Sequence, residues 1–358
     1  MIIILYRTEP RNATDMFIIQ KETIIMLYPL VMQPHFRHGV QTPWGGDSLS
    51  VFGKDIPDSL TGESLEISAL SDTPSIVKNG PLAGRTLSSL MEEYGAAISG
   101  CEGEFPLLVK LIDARDMLSV QVHPGDEYAT AKHGKLGKTE AWLVLSCAPG
   151  AKLCCGIKED AAPFEELCAD EEAMQNAMRR VSVMPGDVLY IPHGLVHAIG
   201  AGIMVYEIQQ SSDVTYRISD WGRMGADGKP RQLHLDDAKA VVRPEIRPDK
   251  SVGASLVVEG GVKTAYVCDE RFELWRLNIS GDMPMESGRM QLITAMSPCS
   301  VKWDGGCEEL APGESVLVPA VCKNVHLIGR AQAILSSTPD QAALREALGQ
   351  RAGAVAGL

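Results

Sequence analysis

The sequence predicts a mainly β protein made of two jelly-roll domains, and three observations support this fold class. The chain has 358 residues, which suggests at least two domains. It contains 34 glycines and 21 prolines but few helix-length apolar periods, a composition that favours short strands joined by turns. A pattern of Pro-Gly-acidic, apolar residues and proline also occurs twice, at residues 184–192 and 311–319. Such a repeat indicates two related domains.

The N-terminal segment differs in pattern from the rest of the chain. We expect residues 1–25 to be an extension or the product of a misplaced start codon, because Met26 opens a strand-like pattern. The alternative is a genuine edge strand at residues 18–25. Residues 26–72 are predicted to be rich in loops, and a helix is predicted at 87–94.

The predicted strands of the first domain are short and apolar. They cover residues 107–112, 118–122, 141–145, 187–191, 203–209 and 214–218. Residues 162–178 carry acidic side chains early and are followed by Arg179 and Arg180, which suits a helix dipole and predicts a helical insertion.

The domain boundaries are predicted from the remaining patterns. A short helix is expected at 235–242 and a proline-containing linker at 244–250, so residues 26–250 form the first domain, which we expect to be catalytic. Residues 251–338 form a degenerate second domain, and residues 339–358 a C-terminal helix and tail.

The charge balance limits the partners that the protein can have. The chain carries 33 lysines and arginines against 46 acidic residues, a formal net charge of −13. A surface of this sign repels phosphate backbones and anionic lipids, so we expect neither nucleic acid nor membrane as a partner. We expect a monomer or a weak homo-oligomer.

The cysteines and the N-terminal apolar run predict the compartment. Nine cysteines are an odd number, and Cys154 and Cys155 are adjacent, which favours a reducing environment over a disulfide framework. The apolar run at residues 2–5 is too short for a signal peptide or a membrane span. A cytoplasmic protein is therefore predicted.

One spacing points to a particular class of jelly roll. Gly186, Pro192, Gly194 and His197 match Gly-x5-Pro-x-Gly-x2-His, the second motif of the cupins. The glycines are expected to form turns, and His197 is expected to face the interior of the barrel. A histidine there is a candidate metal ligand.

A metal needs further ligands, and these are predicted upstream. Gln121 and His123 share a strand face under period-two alternation, and Glu140 lies beyond a Gly- and Lys-rich stretch at 124–138. Together with His197 they form a mixed nitrogen and oxygen set that suits zinc or another borderline divalent metal. The alternative is a hydrogen-bonded polar cluster without metal.

Two cations are predicted near this centre. Alternation places Arg217 opposite the apolar Tyr216 and Ile218, so its guanidinium points into the cavity if the apolar pair packs away from it. Lys138 precedes Glu140 by two residues and would share its face in an extended strand. Such cations stabilise developing oxyanion charge, although both could be ordinary solvent-facing residues.

Five long segments together resemble one family. LSVQVHPGDEYA (118–129), GKTEAWLVL (137–145), PHGLVHAIG (192–200), YEIQQSSDVTYRISDWGR (206–223) and the early PWGG and GESLEIS stretches are similar to type I phosphomannose isomerases of the short bacterial kind. The resemblance covers the chain from about Met26 into the C-terminal domain. It implies a zinc-dependent interconversion of mannose 6-phosphate and fructose 6-phosphate, with one Zn²⁺ per chain.

The resemblance also implies roles for individual residues. The zinc ligands correspond to Gln121, His123, Glu140 and His197. The catalytic cations correspond to Arg217 and Lys138, and the substrate-binding positions to Lys110, Ser119, Trp44, Glu63 and Glu207. Of these, Lys110 and Ser119 match positions for the phosphate, whereas Trp44 and Glu63 match the rim of the cavity.

The reaction moves a proton between C2 and C1 through an enediol, so it needs a base as well as positive charge for the enediolate oxygen. Lys138, a zinc-bound hydroxide or Glu207 could be that base. Two other functions remain open: a metal-dependent cupin oxidoreductase, and a non-catalytic sugar-phosphate-binding paralogue. The glutamine ligand and the group of cations favour the isomerase.

Overall fold

The computed structural model describes residues 26–224 and 228–358. Within these ranges the strands form three sheets whose pairings between strands are antiparallel. The mainly β fold predicted from the sequence is thus confirmed. Both alternatives for residues 1–25, the extension and the edge strand, lie outside the described residues.

The strands are short in the first part of the chain and longer in the last. The first are β1 (Leu30–Gln33), β2 (His35–Arg37), β3 (Glu63–Ile67), β4 (Ile76–Val77), β5 (Leu107–Ala114), β6 (Val120–Val122), β7 (Glu140–Cys147), β8 (Lys152–Ile157), β9 (Met178–Ser182), β10 (Val188–Ile191), β11 (His197–Ala198), β12 (Ile203–Gln210) and β13 (Tyr216–Ser219). The others are β14 (Lys250–Ser251), β15 (Ala254–Val258), β16 (Gly261–Cys268), β17 (Glu273–Pro284), β18 (Gln291–Ala295), β19 (Cys299–Trp303), β20 (Gly306–Leu310), β21 (Ser315–Val318) and β22 (His326–Ser337).

The helices are short and lie in the connections. They are α1 (Leu87–Tyr94), α2 (Ala96–Ser99), α3 (Asp126–His133), α4 (Phe164–Leu167), α5 (Glu171–Ala177), α6 (Leu235–Val241) and α7 (Gln341–Leu348). The 3₁₀ helices are Gly39–Gln41, Ser48–Phe52, Gly80–Leu82 and Gly349–Ala354. Helix α1 has the predicted bounds because the Thr86 hydroxyl accepts from the Ser89 N–H and caps it. In the described part of the chain, no helix combines the length and apolar character needed to cross a membrane.

The segment predicted as one helical insertion contains two short helices. Asp170 lies between them, and its carboxylate accepts from the backbone N–H groups of Glu172 and Ala173. This cap starts α5 as a new helix. Buried Phe164 and Met174 hold the two helices against the rest of the domain.

Two sheets enclose the interior of the first jelly roll. The seven-stranded sheet has the order β14-β10-β7-β12-β5-β3-β2, and the five-stranded sheet has the order β13-β6-β11-β8-β9. Ile112 and Trp142 from the first sheet pack in one core with Leu153 and Cys155 from the second. The polar residues of the site lie between these sheets.

The seven-stranded sheet is buried on both faces. In β5, Leu107, Val109 and Leu111 pack in a core with Leu292 and Leu317 of the C-terminal half. The intervening side chains of β5 face the interior of the first jelly roll. This double burial explains why the strand is a nearly continuous apolar run in sequence.

The third sheet combines strands from the early and the late parts of the described chain. Its order is β15-β16-β17-β22-β18-β21-β1-β4, with β19 paired to β22 and β20 paired to β19. Strand β1 pairs antiparallel to β21, so that Leu30 lies opposite Leu317. The early segment of the chain is therefore part of the C-terminal sheet.

Residues 26–72 are rich in loops, as predicted, but this segment also contains the strands β1, β2 and β3, of which β3 was not predicted. In β3 the polar residues Ser64 and Glu66 are fully buried. Glu66 accepts from the hydroxyls of Ser64 and Ser315 and pairs with Lys54. Buried polar residues of this kind hide the apolar alternation that marks a strand.

The sequence repeat corresponds to equivalent turns in the two halves. Gly186 and Gly313 have φ of 93° and 80°, which favours glycine, and each lies two residues before a strand, β10 or β21. Pro192 and Pro319 come directly after these strands. The repeated pattern therefore encodes the same turn and strand in both halves.

Candidate active site

Three buried side chains meet between the sheets of the first jelly roll. His123 comes directly after β6 and His197 opens β11 in the five-stranded sheet, whereas Glu140 opens β7 in the opposite sheet. The possible ligand atoms of the three residues all lie within 4.8 Å of one another. Segments far apart in sequence thus converge on one point.

The local sequence places His197 at this point. Gly194 has φ of 81°, and the Leu195 N–H donates to Pro192 O in the turn that leads into β11. A Cβ atom at Gly194 would lie 2.7 Å from Arg243 Cδ, so the turn requires glycine for space as well as for its backbone.

The two imidazoles turn the same nitrogen towards Glu140. His123 Nδ1 lies 3.1 Å from Val214 O, and His197 Nδ1 lies 2.9 Å from Leu195 O. Because a carbonyl only accepts, both Nδ1 atoms carry hydrogen and both Nε2 atoms keep a lone pair. These Nε2 atoms lie 3.5 and 3.4 Å from the Glu140 carboxylate oxygens. The backbone thus orients both rings as metal ligands are oriented.

Burial sets the charges of this cluster. It lowers the pKa of His197 to about 3 and that of His123 well below its usual value, so both rings are neutral. Burial and the Glu207 carboxylate raise the pKa of Glu140 to about 7. Glu140 Oε1 is buried and accepts no hydrogen bond from the described residues. An unsatisfied carboxylate oxygen beside two neutral imidazoles fits a divalent cation.

Gln121, the fourth predicted ligand, lies beside the cluster. It is paired with His197 across β6 and β11, and its side-chain nitrogen is 3.3 Å from His197 Nε2. Half a turn of the amide brings its oxygen to the same place. All four predicted ligands are therefore close together.

Lys138 covers the cluster from one side. Its Nζ lies 2.6 Å from Glu140 Oε2 and 3.0 Å from His123 Nε2. Burial opposes its charge, but the carboxylates of Glu140 and Glu207 raise its pKa above the usual value. Lys138 is therefore an ammonium group in this structure. Strand β7 begins only at Glu140, so Lys138 lies just outside the strand on which it was expected.

A cavity of about 290 Å³ opens above the cluster. It brings together the residues that the sequence predicted to bind substrate or take part in catalysis. Its lining includes Trp44, Glu63, Lys110, Ser119, Gln121, Lys138, Glu207 and Arg217. Leu118 also lines it, although it differs in parity from Gln121 and His123, because β6 begins only at Val120 and the alternation does not extend back to Leu118.

Lys110 lies between two carboxylates of this cavity. Its Nζ is 3.7 Å from Glu63 Oε2 and 3.3 Å from Glu207 Oε1. Glu63 also pairs with Arg37 at 3.3 Å, and Glu207 accepts from Trp142 Nε1 at 2.9 Å. The charge of Lys110, which was expected to contact phosphate, is thus compensated within the protein.

Arg217 differs from Lys110 in its surroundings. It lies opposite Gln121 in the pairing of β13 and β6, and buried Tyr216 and Ile218 pack on the other face of the strand. Its Nη1 donates to Gln232 O at 3.0 Å, whereas its Nε is buried without a hydrogen-bond partner in the described residues. Burial and Arg231 lower the pKa of Arg217. No carboxylate of residues 26–224 or 228–358 lies within 4.0 Å of its guanidinium.

Three basic residues of the lining were not predicted from the sequence: Arg37, Arg231 and His234. Arg37 lies in a segment that was predicted to be loop-rich. Arg231 and His234 lie in the connection between β13 and α6, where no periodic pattern or motif marks them. They reach the site because residues 231–234 pack at the cavity wall.

The sequence and the fold of this chain are similar to those of known proteins. The family model for the catalytic domain of type I phosphomannose isomerase matches residues 36–140. Mannose-6-phosphate isomerase ManA of Bacillus subtilis is 36% identical over 86% of this chain and 98% of its own length. The chain belongs to the type I phosphomannose isomerase family.

Further phosphomannose isomerases support this membership. The mannose-6-phosphate isomerase of Streptococcus mutans is 35% identical over 87% of this chain and 98% of its own. The crystal structure of the Bacillus subtilis mannose 6-phosphate isomerase superposes with a TM-score of 0.80 and 32% identity, covering 86% of this chain and 99% of that one. The similarity therefore extends over both halves of the described fold.

Proposed function

We propose that the chain is a cytoplasmic enzyme that interconverts mannose 6-phosphate and fructose 6-phosphate with one Zn²⁺ per chain. The observation that carries this proposal is the buried cluster of His123, Glu140 and His197 beneath a cavity with several cations. The cations suit an anionic substrate in a protein whose net charge is −13. The names of the relatives supply the substrate.

The donor set supports the choice of zinc. Two imidazole nitrogens, one carboxylate and the Gln121 amide oxygen are borderline and hard ligands, which zinc accepts. Of the four ligands, Gln121 lines the cavity, whereas the other three are at most 1% exposed. A bound metal would therefore be reached from the cavity on the side of Gln121. The bound metal would act as a Lewis acid that polarises the substrate oxygens.

The reaction also needs a proton acceptor, and we assign this role to Glu207. It lines the cavity, and although burial opposes its charge, Lys110, Lys138 and the Trp142 N–H lower its pKa. It is therefore ionised and can take the proton from C2 of the aldose and return it to C1. Lys138 is an ammonium group and suits proton donation rather than proton acceptance.

Positive charge must meet the enediolate oxygen that forms between these proton transfers. Arg217 lies beside Gln121, and among the described residues its buried Nε has no hydrogen-bond partner and its guanidinium no ion pair, so it can bind this oxygen directly. We assign substrate binding to Lys110, Ser119, Trp44 and Glu63, which complete the wall of the cavity.

The proposal is tested with the purified full chain. Mannose 6-phosphate is supplied, fructose 6-phosphate is detected by a coupled assay, and bound metal is measured in the same sample. We expect turnover that is lost on chelation and restored by zinc. Bound zinc without turnover would favour a sugar-phosphate-binding protein. Bound iron or manganese with oxygen consumption would favour an oxidoreductase.

A further inference from the structure

His234 occupies a defined place next to Arg217. Its ring lines the cavity and is half-buried. Its ring Nδ1 accepts from the Arg217 backbone N–H at 3.2 Å, and the backbone N–H of His234 donates to Arg217 O at 2.8 Å. With the bond from Arg217 Nη1 to Gln232 O, three hydrogen bonds fix the connection after β13 to this arginine.

These contacts define the tautomer of His234. Because the Arg217 N–H is a donor, Nδ1 must be the unprotonated nitrogen, and the hydrogen of the neutral ring lies on Nε2. Burial and Arg217 lower the pKa of His234, which keeps the ring neutral. No hydrogen bond joins Nε2 to any residue in the described ranges. The ring thus has one free donor at the wall of the cavity.

The surrounding charges indicate what this donor binds. The cavity cations Arg37, Lys110 and Lys138 each contact a carboxylate of the site. Arg217 contacts none in the described part of the chain, and Arg231 beside it is held by Asp220 at 2.6 Å. Uncompensated positive charge is therefore concentrated on the side of Arg217 and His234. A multiply charged anion gains most on this side.

We propose that His234 donates a hydrogen bond from Nε2 to the phosphate group of the substrate, near the Arg217 guanidinium, whose Nε is assigned to the enediolate oxygen. His234 is then a substrate-specificity residue. The proposal rests on the proposed function for the identity of the ligand. The role of the ring itself can be tested without turnover.

Two amide variants separate the two nitrogens of the ring. His234→Gln places an amide near the position of Nε2 but removes the Nδ1 acceptor. His234→Asn keeps an acceptor near the position of Nδ1 but removes the Nε2 donor. Binding of inorganic phosphate to the metal-loaded full chain is measured by calorimetry, with metal content and melting temperature checked for each variant. We expect Asn to weaken binding by about tenfold or more and Gln to retain most of it. His326→Asn and His326→Gln, on the second domain, serve as matched controls.

Three results would overturn this role: an Asn variant that binds phosphate normally, equal loss in both variants, or no phosphate binding by the unaltered chain. The KM for mannose 6-phosphate should change in the same order as phosphate binding, with a smaller effect on kcat. Phosphate binding with the expected order but no turnover would refute the isomerase and leave the role of His234 standing. Turnover that is insensitive to His234→Asn would refute the role of His234 and leave the isomerase standing.

Discussion

Lys110 and Arg217 line the same cavity, yet their surroundings prepare them for different tasks. The Lys110 ammonium is shared by Glu63 and Glu207, so it organises carboxylates more than it attracts an anion. Arg217 has a buried Nε without a partner in the described residues, a state that costs free energy unless a ligand satisfies it. The arginine is therefore ready to receive negative charge.

Replacing Arg217 tests this difference. Arg217→Ala is expected to keep its metal, because none of the clustered ligand atoms belongs to it. Its kcat should fall by roughly 10²- to 10³-fold, the usual effect of losing one oxyanion donor. Steady-state kinetics and metal analysis measure the two effects. Arg330→Ala on β22, outside the cavity lining, is the control. Full activity in Arg217→Ala would show that the assignment is wrong.

The sequence predicts those site residues that a regular strand or a fixed motif positions. Alternation brought Gln121 and His123 to one side of β6, and the glycine turn brought His197 to the same place. His234 could not be found in this way, because its position depends on how an irregular connection packs on Arg217. Local periodicity does not encode that packing.

Strand β3 is the element that joins the site to the second half of the chain. Glu63 at its start lines the cavity and pairs with Lys110. Glu66 near its end points to the C-terminal sheet, where it accepts from the Ser315 hydroxyl at 3.1 Å and pairs with Lys54 at 2.7 Å. The strand thus connects a cavity wall to β21.

Breaking the buried pair should destabilise the protein. Glu66→Gln leaves the Lys54 ammonium, only 8% exposed, without its counter-charge. We expect the free energy of unfolding to fall by about 3 kcal/mol, as for other buried pairs that lose one partner. Denaturant titration gives this value. The exposed pair of Arg85 and Glu93 provides a control, since Glu93→Gln should cost under about 0.5 kcal/mol. Equal effects of the two substitutions would contradict the role of Glu66.

Buried polar residues also explain why one strand was not predicted from the sequence. Helix α1 and strands such as β12 have clear periods or apolar runs and were predicted within about one residue. Strand β3 was missed because its buried Ser64 and Glu66 are polar. Ser64 donates to Glu66, and Glu66 in turn accepts from Ser315, a partner distant in sequence that is known only once the halves have packed together.

Over the whole molecule, the seven-stranded sheet is a shared middle layer. One face closes the interior of the first jelly roll and the other packs on the C-terminal half. We propose that the boundary between the two domains lies near residue 250, with β1 as an N-terminal strand of the second sheet. The second domain then supports the layer that carries Glu140 and Glu207.

A metal in the cluster would join two layers of the molecule. Its ligands on the five-stranded sheet are His123 and His197, and Glu140 lies on the opposite sheet. Chelation should therefore lower the stability of the whole first domain, by about 2.7 kcal/mol if free metal was at 100 times its Kd. Thermal unfolding with and without chelator measures this change. His197→Ala should unfold at a temperature that chelator does not alter. An unchanged melting temperature in the parent chain would argue against a structural contribution of metal.

The pairing of β1 with β21 also constrains how the protein is made. On the ribosome, Leu30 emerges roughly 290 residues before its partner Leu317, which is about 15 to 60 s at ordinary rates of synthesis. During that interval an apolar strand has an unpaired edge, the kind of surface that promotes aggregation. Completion of the last sheet waits for the end of translation, so chaperone supply and synthesis rate should affect the yield of this protein more than its native stability suggests.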